Sequence, residues 1–148
     1  MSMSMSCNWE TLASVEECMP LLRAHWDEAA SYFEVFDPKL DKYREAEANG
    51  FLHILVIRDG GAPIGYAWMF VSEMLQCDAK RAQVEGYFIH PDYRGMSIFN
   101  KMRATLEQRA SKLGAQYIEW TRKAAKSGGM WHDHGYQDIE ITCMKKLS

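Results

Sequence analysis

The chain has 148 residues, 47% of them hydrophobic and 25% charged, which suits one buried core in an ordinary water-soluble fold. A formal net charge of -3, with lysines and arginines scattered rather than gathered in a stripe, speaks against nucleic acid as a partner. The longest apolar run, Phe51 to Ile57, is far too short for a membrane-spanning helix, so no membrane partner is expected.

The opening MSMSMSC carries neither the basic nor the apolar region of a secretion signal, and residues 1–7 are expected to fray. Cys7, Cys18, Cys77 and Cys143 lie far apart without a CxxC, which predicts free thiols in a reducing cytoplasm. Cys77 and Cys143 are read as buried thiols. A short strand is expected over 8–12. Ser14 and Glu17 form an S-x-x-E capping box, and Val15, Cys18, Leu22, Trp26 and Ala29 recur at helical spacing, predicting a helix over 14–30. Asp37-Pro38 predicts a second helix with proline in its first position, turning Leu40, Tyr43 and Ala46 inward and ending near Gly50.

The middle of the chain reads as β structure. FLHILVI, the turn Asp59-Gly60-Gly61 and PIGYAWMFVSEML form a hairpin, and Gly65 inside its second strand predicts a bulge or a close backbone approach. AQVEGYFIH is a third strand, stopped by Pro91. Phe99, Met102, Leu106, Ala110 and Leu113 line one face of a helix over 97–113, which Gly114 ends. AQYIEWT and YQDIEITCMKKL are strands, separated by a helical or irregular piece over 124–134. Without a linker or repeat, residues 1–148 are expected to form a single domain.

The stretch Tyr87 to Phe99 is a strand stopped by proline, a tight Arg94-Gly95 loop and a helix start. Helix-start amides and their partial positive charge suit a pyrophosphate, Arg94 adds a cation, and Gly95 permits close approach. The same residues also fit a plain strand-to-helix connection with a solvated arginine. By strand alternation Glu85 shares a face with Tyr87 and Ile89, which makes its carboxylate a candidate general base. The equally simple alternative is a solvent-facing strand glutamate. His132-x-His134 with Asp133 lacks a third residue at metal-ligand spacing, so no metal is expected.

I-H-P-D-Y-R-G followed by an amphipathic helix resembles the central V-x-P-x-x-R-G-x-G-x-G motif of the GNAT (general N-acetyltransferase) superfamily. The order of elements, the D-G-G-x-P-I-G hairpin and the closing H-G-Y are also similar, and the I-H-P-x-Y-R-G-x-S pattern is similar to acetyltransferases of tailed phages. The resemblance implies an α/β (α+β) fold with a mixed, mostly antiparallel central sheet flanked by helices. It implies acetyl-CoA as cosubstrate, inserted between the strand ending at Ile89 and the strand holding Ile118 to Thr121. Backbone at Phe88 and Ile89 would pair with the pantetheine arm, and amides of Arg94, Gly95, Met96, Ser97, Ile98 and Phe99 would take the pyrophosphate. Two motif glycines are replaced, by Ser97, whose hydroxyl can bond phosphate, and by the bulky Phe99.

Where the family usually carries a thiol-protonating tyrosine this chain has Trp131, whose indole cannot give a proton to a thiolate. His132, His134 and Tyr136 are nearby substitutes, with Tyr136 the general-acid candidate. The first two helices of the resembling fold shape the acceptor pocket. Here Trp26, Tyr32, Phe33, Phe36 and Tyr43 with Asp27, Glu28, Glu34 and Asp37 would make an aromatic and acidic wall. The acceptor is then a primary amine of a small molecule, a peptide N-terminus or a protein lysine. Against this enzyme stands a binding or inhibitory module that keeps the fold with little catalysis. Oligomeric state is open, a homodimer included.

Overall fold

The computed structural model describes residues 5–30, 36–124, 134 and 138–147. In these, one six-stranded sheet runs in chain order: β1 (Met5–Glu10), β2 (Leu52–Asp59), β3 (Ala62–Glu73), β4 (Lys80–Ile89), β5 (Tyr117–Lys123) and β6 (Glu140–Lys146). All neighbours are antiparallel except β4 and β5, which are parallel. That one parallel pair needs a crossover, and α3 (Met96–Lys112) supplies it. Two further helices, α1 (Val15–His25) and α2 (Leu40–Ala48), lie between β1 and β2 in the chain. No described helix is long and apolar enough to cross a membrane.

The middle of the sheet is buried on both faces, which is why β2 and β3 read as near-continuous apolar runs rather than as alternating ones, while β6 is exposed throughout. One face packs Leu55, Ile57, Ala67 and Met69 against Met102, Leu106 and Ala110 of α3. The other packs Ile54, Val56, Tyr66, Trp68 and Phe88 against Val15, Cys18 and Leu21 of α1, with Leu40, Tyr43 and Ala46 of α2 half-buried beside them. Removing a side chain such as Leu106 from this core would cost about 2–5 kcal/mol.

Several local expectations change. Residues 5–7 are paired, Met5 opposite Asp59 and Cys7 opposite Ile57, because the edge of β2 offers an unfilled ladder. Ser14 does not cap α1: a 3-10 turn (Leu12–Ser14) precedes the helix, and the Ser14 hydroxyl donates to Glu10 at 2.6 Å instead. Glu17, its expected partner, accepts from Arg58 at 2.9 Å. α1 changes to a π turn over Trp26–Ala30. Pro38 stays outside α2, which starts at Leu40 after Lys39. Cys77 and Cys143 are exposed, not buried, while Cys18 is buried and Cys7 half-buried.

The Gly60-Gly61 turn has φ of 58° and 91°, the left-handed pair that matches the twist of a two-residue hairpin. Past it, Ile57 pairs with Gly65 but Arg58 with Pro63, so the bulged residue is Ile64. Gly65 itself answers a close approach, since a Cβ there would sit 2.9 Å from the Phe88 carbonyl oxygen.

Candidate active site

The site begins with a second irregularity, in β4. Trp68 pairs with Gly86 and Met69 with Val84, leaving Glu85 as the extra residue of a β-bulge. The bulge resets the side-chain alternation. Ala82 and Val84 face the α3 side before it, and Tyr87 and Ile89 face that side after it. Glu85 therefore does not share a face with Tyr87 and Ile89, contrary to simple alternation. It is exposed, and its charge acts on Tyr43 across the opposite face.

Beyond the bulge β4 also parts from β5. The parallel ladder covers only Arg81 to Val84 against Tyr117 to Trp120, and Glu85–Ile89 and Thr121–Lys123 then diverge. A cleft of about 620 Å³ opens between them, walled by the two strands and closed at one end by Arg94, Gly95 and Phe99. Along β4 the main-chain groups alternate between neighbours. The Phe88 carbonyl points at β3, beside Gly65, and the His90 N–H donates to Ile64 on β3 at 2.8 Å. The main-chain groups of Tyr87 and Ile89 thus point to the cleft side. Of the two residues expected to pair with a ligand, Ile89 turns its main chain to the cleft side and Phe88 turns its main chain to β3.

The loop after β4 is held at several points. Pro91–Tyr93 form a 3-10 turn, whose Asp92 N–H donates to His90 Nδ1 at 3.2 Å, and the Tyr93 hydroxyl donates to Asp59 at 2.8 Å. Gly95 is extended, with φ 175°, which any residue adopts, and the space a Cβ would fill is open. α3 then starts at Met96 with no acidic side chain in its first turn. Of the amides from 94 to 99, Arg94 donates to Pro91 O at 3.3 Å and Phe99 to Gly95 O at 3.2 Å. Those two are occupied. The helix-start amides of Met96, Ser97 and Ile98 have no intrahelical partner, and Gly95 stands before them.

Phe99 turns away from that helix start. Its ring packs at 6.4 Å from Tyr87 and 5.7 Å from Trp120, and Tyr87 meets Trp120 edge-on at 4.9 Å. These three rings fill the α3 side of the gap where β4 and β5 diverge. Arg94 is also redirected. Its Nε donates to Ile89 O at 2.8 Å, its two terminal nitrogens to Glu28 at 2.8 and 2.6 Å, and its guanidinium lies 5.2 Å over the Phe88 ring. Arg94 holds the Glu28 carboxyl below the usual carboxylate range. The arginine's charge is thus largely met within the protein.

A second cavity of about 500 Å³ lies under α1 and α2 and meets the cleft at His25, Glu85 and Gly86. Leu22, Trp26, Phe36, Tyr43, Trp68 and Phe70 give its wall an apolar, largely aromatic surface. At the junction the His25 ring stacks on Phe88 at 5.3 Å and hydrogen-bonds the Tyr66 hydroxyl. Burial is the main cause that lowers the His25 pKa, and burial also raises the Tyr66 phenol well above its ordinary value. Both are therefore neutral near pH 7. Burial first, then the Glu85 charge, raises Tyr43.

These features coincide with a known family. A model of the acetyltransferase (GNAT) family matches residues 19–136. The chain belongs to this family. As a GNAT member it is an acetyl-CoA-dependent N-acetyltransferase. No curated protein shows a significant match to the sequence. Among solved structures, a putative acetyltransferase, yncA, from Salmonella typhimurium with its cofactor acetyl-CoA is similar in fold. Its TM-score is 0.73 at 13% identity, over 98% of this chain and 95% of that one. A ribosomal-protein-alanine N-acetyltransferase from Brucella melitensis biovar Abortus 2308 has a TM-score of 0.65 at 16% identity, over 82% of each chain. An aminoglycoside N-acetyltransferase in complex with CoA has a TM-score of 0.63 at 15% identity, over 84% of this chain and 80% of that one.

The GNAT cosubstrate fits the cleft. Diverging strands present main-chain groups of Tyr87 and Ile89, and an anion-compatible helix start stands at one end. Trp131, His132, Asp133 and Tyr136 lie outside the described residues, as do Tyr32, Phe33 and Glu34. His134 is exposed and lines neither cavity. No group of three or more potential metal ligands gathers among the described residues. The expected acidic wall is mostly neutralised: Asp27 pairs with Arg23, Glu28 with Arg94 and Asp37 with Lys39. Sequence reasoning missed His25, Tyr66 and Trp68. Nothing in their local spacing marks them, because a fold-wide turn brings α1 onto β3.

Proposed function

We propose that this GNAT enzyme transfers the acetyl group to a primary amine that reaches the cleft through the cavity under α1 and α2. The observation that carries this reading is the meeting of the two cavities at His25, Glu85 and Gly86. Bound acetyl-CoA supplies an acyl carbon already activated as a thioester. Gly95 to Ile98 hold the pyrophosphate with main-chain amides, and Tyr87 and Ile89 pair with the arm. Glu85, freed from the ladder by the bulge, takes the proton of the incoming ammonium directly or through water. A strand N–H near Ile89 that is not paired with the arm offers a preorganised donor to charge developing on the acyl oxygen. Tyr136 is the general-acid candidate, and a thiol of pKa near 8.5 also leaves readily as thiolate.

The whole of 1–148 acting as one domain, in the cytoplasm, is part of the same proposal. Two exposed thiols, Cys77 and Cys143, suit a reducing compartment. Thiol release from acetyl-CoA with a panel of amines tests the reaction. Glu85→Gln is expected to lower kcat about a hundredfold while leaving acetyl-CoA affinity unchanged. Unchanged kcat in that variant removes Glu85 from the mechanism. Acetyl-CoA binding without thiol release for any amine would favour the binding module instead.

A further inference from the structure

We infer that the acceptor is a primary amine carried on a small aromatic or similarly flat apolar body, rather than a polycation or a peptide. This rests on the acetyl-transfer reading above and concerns the second cavity. Its wall holds two ring pairs, Trp26 with Phe36 at 5.8 Å and Tyr43 edge-on to Trp68 at 4.3 Å, with Leu22 and Phe70 beside them. Such rings reward a flat apolar guest by area and by edge-to-face contact, and they offer few partners to the main-chain amides of a peptide.

Charge within the cavity is polarised. Glu85 stands at the inner end, where the cavity opens to the cleft, and acts as the one carboxylate with no ion pair among the described lining residues. Asp37, the other carboxylate of the lining, is held by Lys39, and Lys42 brings a second cation to the same wall. One ammonium is therefore drawn inward to Glu85, and a molecule with several ammonium groups meets Lys42 with the rest of its charge, because Lys39 is balanced by Asp37. That arrangement selects a monoamine with the nitrogen at one end and a ring at the other. The amine nitrogen enters beside Glu85 and the ring stays among Trp26, Phe36, Tyr43 and Trp68.

The full-length protein, saturated with acetyl-CoA, is offered 2-phenylethylamine, tryptamine, an aminoglycoside and a peptide beginning with alanine, and thiol release is followed. The aryl amines are expected to exceed the other two in kcat/KM by at least about tenfold. Tyr43→Ala and Phe36→Ala are each expected to raise KM for them about tenfold, with acetyl-CoA affinity unchanged. Phe36 lies outside the helices, so its variant guards against loss of α2 in the other. Preference for the aminoglycoside or the peptide overturns the inference, as does an equal loss for all amines. If no amine is acetylated, the transfer reading fails. The cavity is then judged alone, by the change in tryptophan fluorescence as 2-phenylethylamine is added without cofactor. Saturable binding weakened about tenfold by Phe36→Ala supports the inference, and its absence overturns it.

Discussion

Glu85 owes its position to one surplus residue in β4, and Gly65 owes its identity to the strand next door. A methyl group at 65 would lie 2.9 Å from the Phe88 carbonyl oxygen, a main-chain atom that cannot swing aside. Gly65→Ala is therefore expected to destabilise the fold by about 1–3 kcal/mol, measured by urea denaturation. It should also disturb the pairing of β3 with β4 below the bulge. Glu10 illustrates a different kind of residue. It accepts from Arg58 Nε at 2.9 Å and Nη2 at 2.8 Å, and these hydrogen bonds are the main cause that lowers its pKa. A depressed carboxylate pKa contributes stability above its unfolded value, and that contribution is lost as pH falls through the folded value. The stability gap between the native protein and Glu10→Gln is expected to be open at pH 7 and to narrow towards pH 3. A gap that is the same at both pH values would mean that the pair contributes nothing through its charge.

At the scale of elements, the start of α3 is the part that can hold a diphosphate. Arg94 is engaged by Glu28 and Ile89, so under the proposed reading main-chain amides from Gly95 to Ile98 do most of the holding. Ser97→Asp separates helix stability from anion binding, because a carboxylate in the first turn stabilises the helix yet repels phosphate. The variant is expected to melt no lower than the native protein but to bind acetyl-CoA about tenfold more weakly. Unchanged affinity in calorimetry would place the pyrophosphate elsewhere. α1 contributes by its far end: past the change to a π turn at Trp26, Trp26 lines the second cavity and Glu28 pairs with Arg94.

For the whole molecule, the sheet is continuous through β4 and β5 at one end and divided at the other. The division makes the cleft, with Phe99 of α3 on one side of it and His25, Glu28 and Ala29 at the end of α1 on the other. Filling it with cosubstrate should stabilise the folded state alone. At about a hundred times Kd this amounts to roughly 2.7 kcal/mol, or roughly 5–10 °C in Tm for a chain of this size. A Tm indifferent to saturating acetyl-CoA would show that the cleft does not take the cosubstrate.

Much of this was legible along the chain, because the signals are local. The Gly60-Gly61 turn, the helix carrying Met102, Leu106 and Ala110, and the strand–proline–Arg-Gly–helix passage each depend on neighbours within a few residues. The same locality misled at Ser14 and Pro38, whose helix-start signatures were overridden by Glu10 and by a later start of α2. Registers and charge partners depend on strands and helices distant in sequence, and only the tertiary structure decided those. It made Glu85 a bulge residue, paired Arg94 with Glu28 across 66 positions, and turned Phe99 towards Trp120. The sequence by itself determined which elements form and which family they compose. Packing decided which face each side chain serves, because alternation survives only as long as the ladder does.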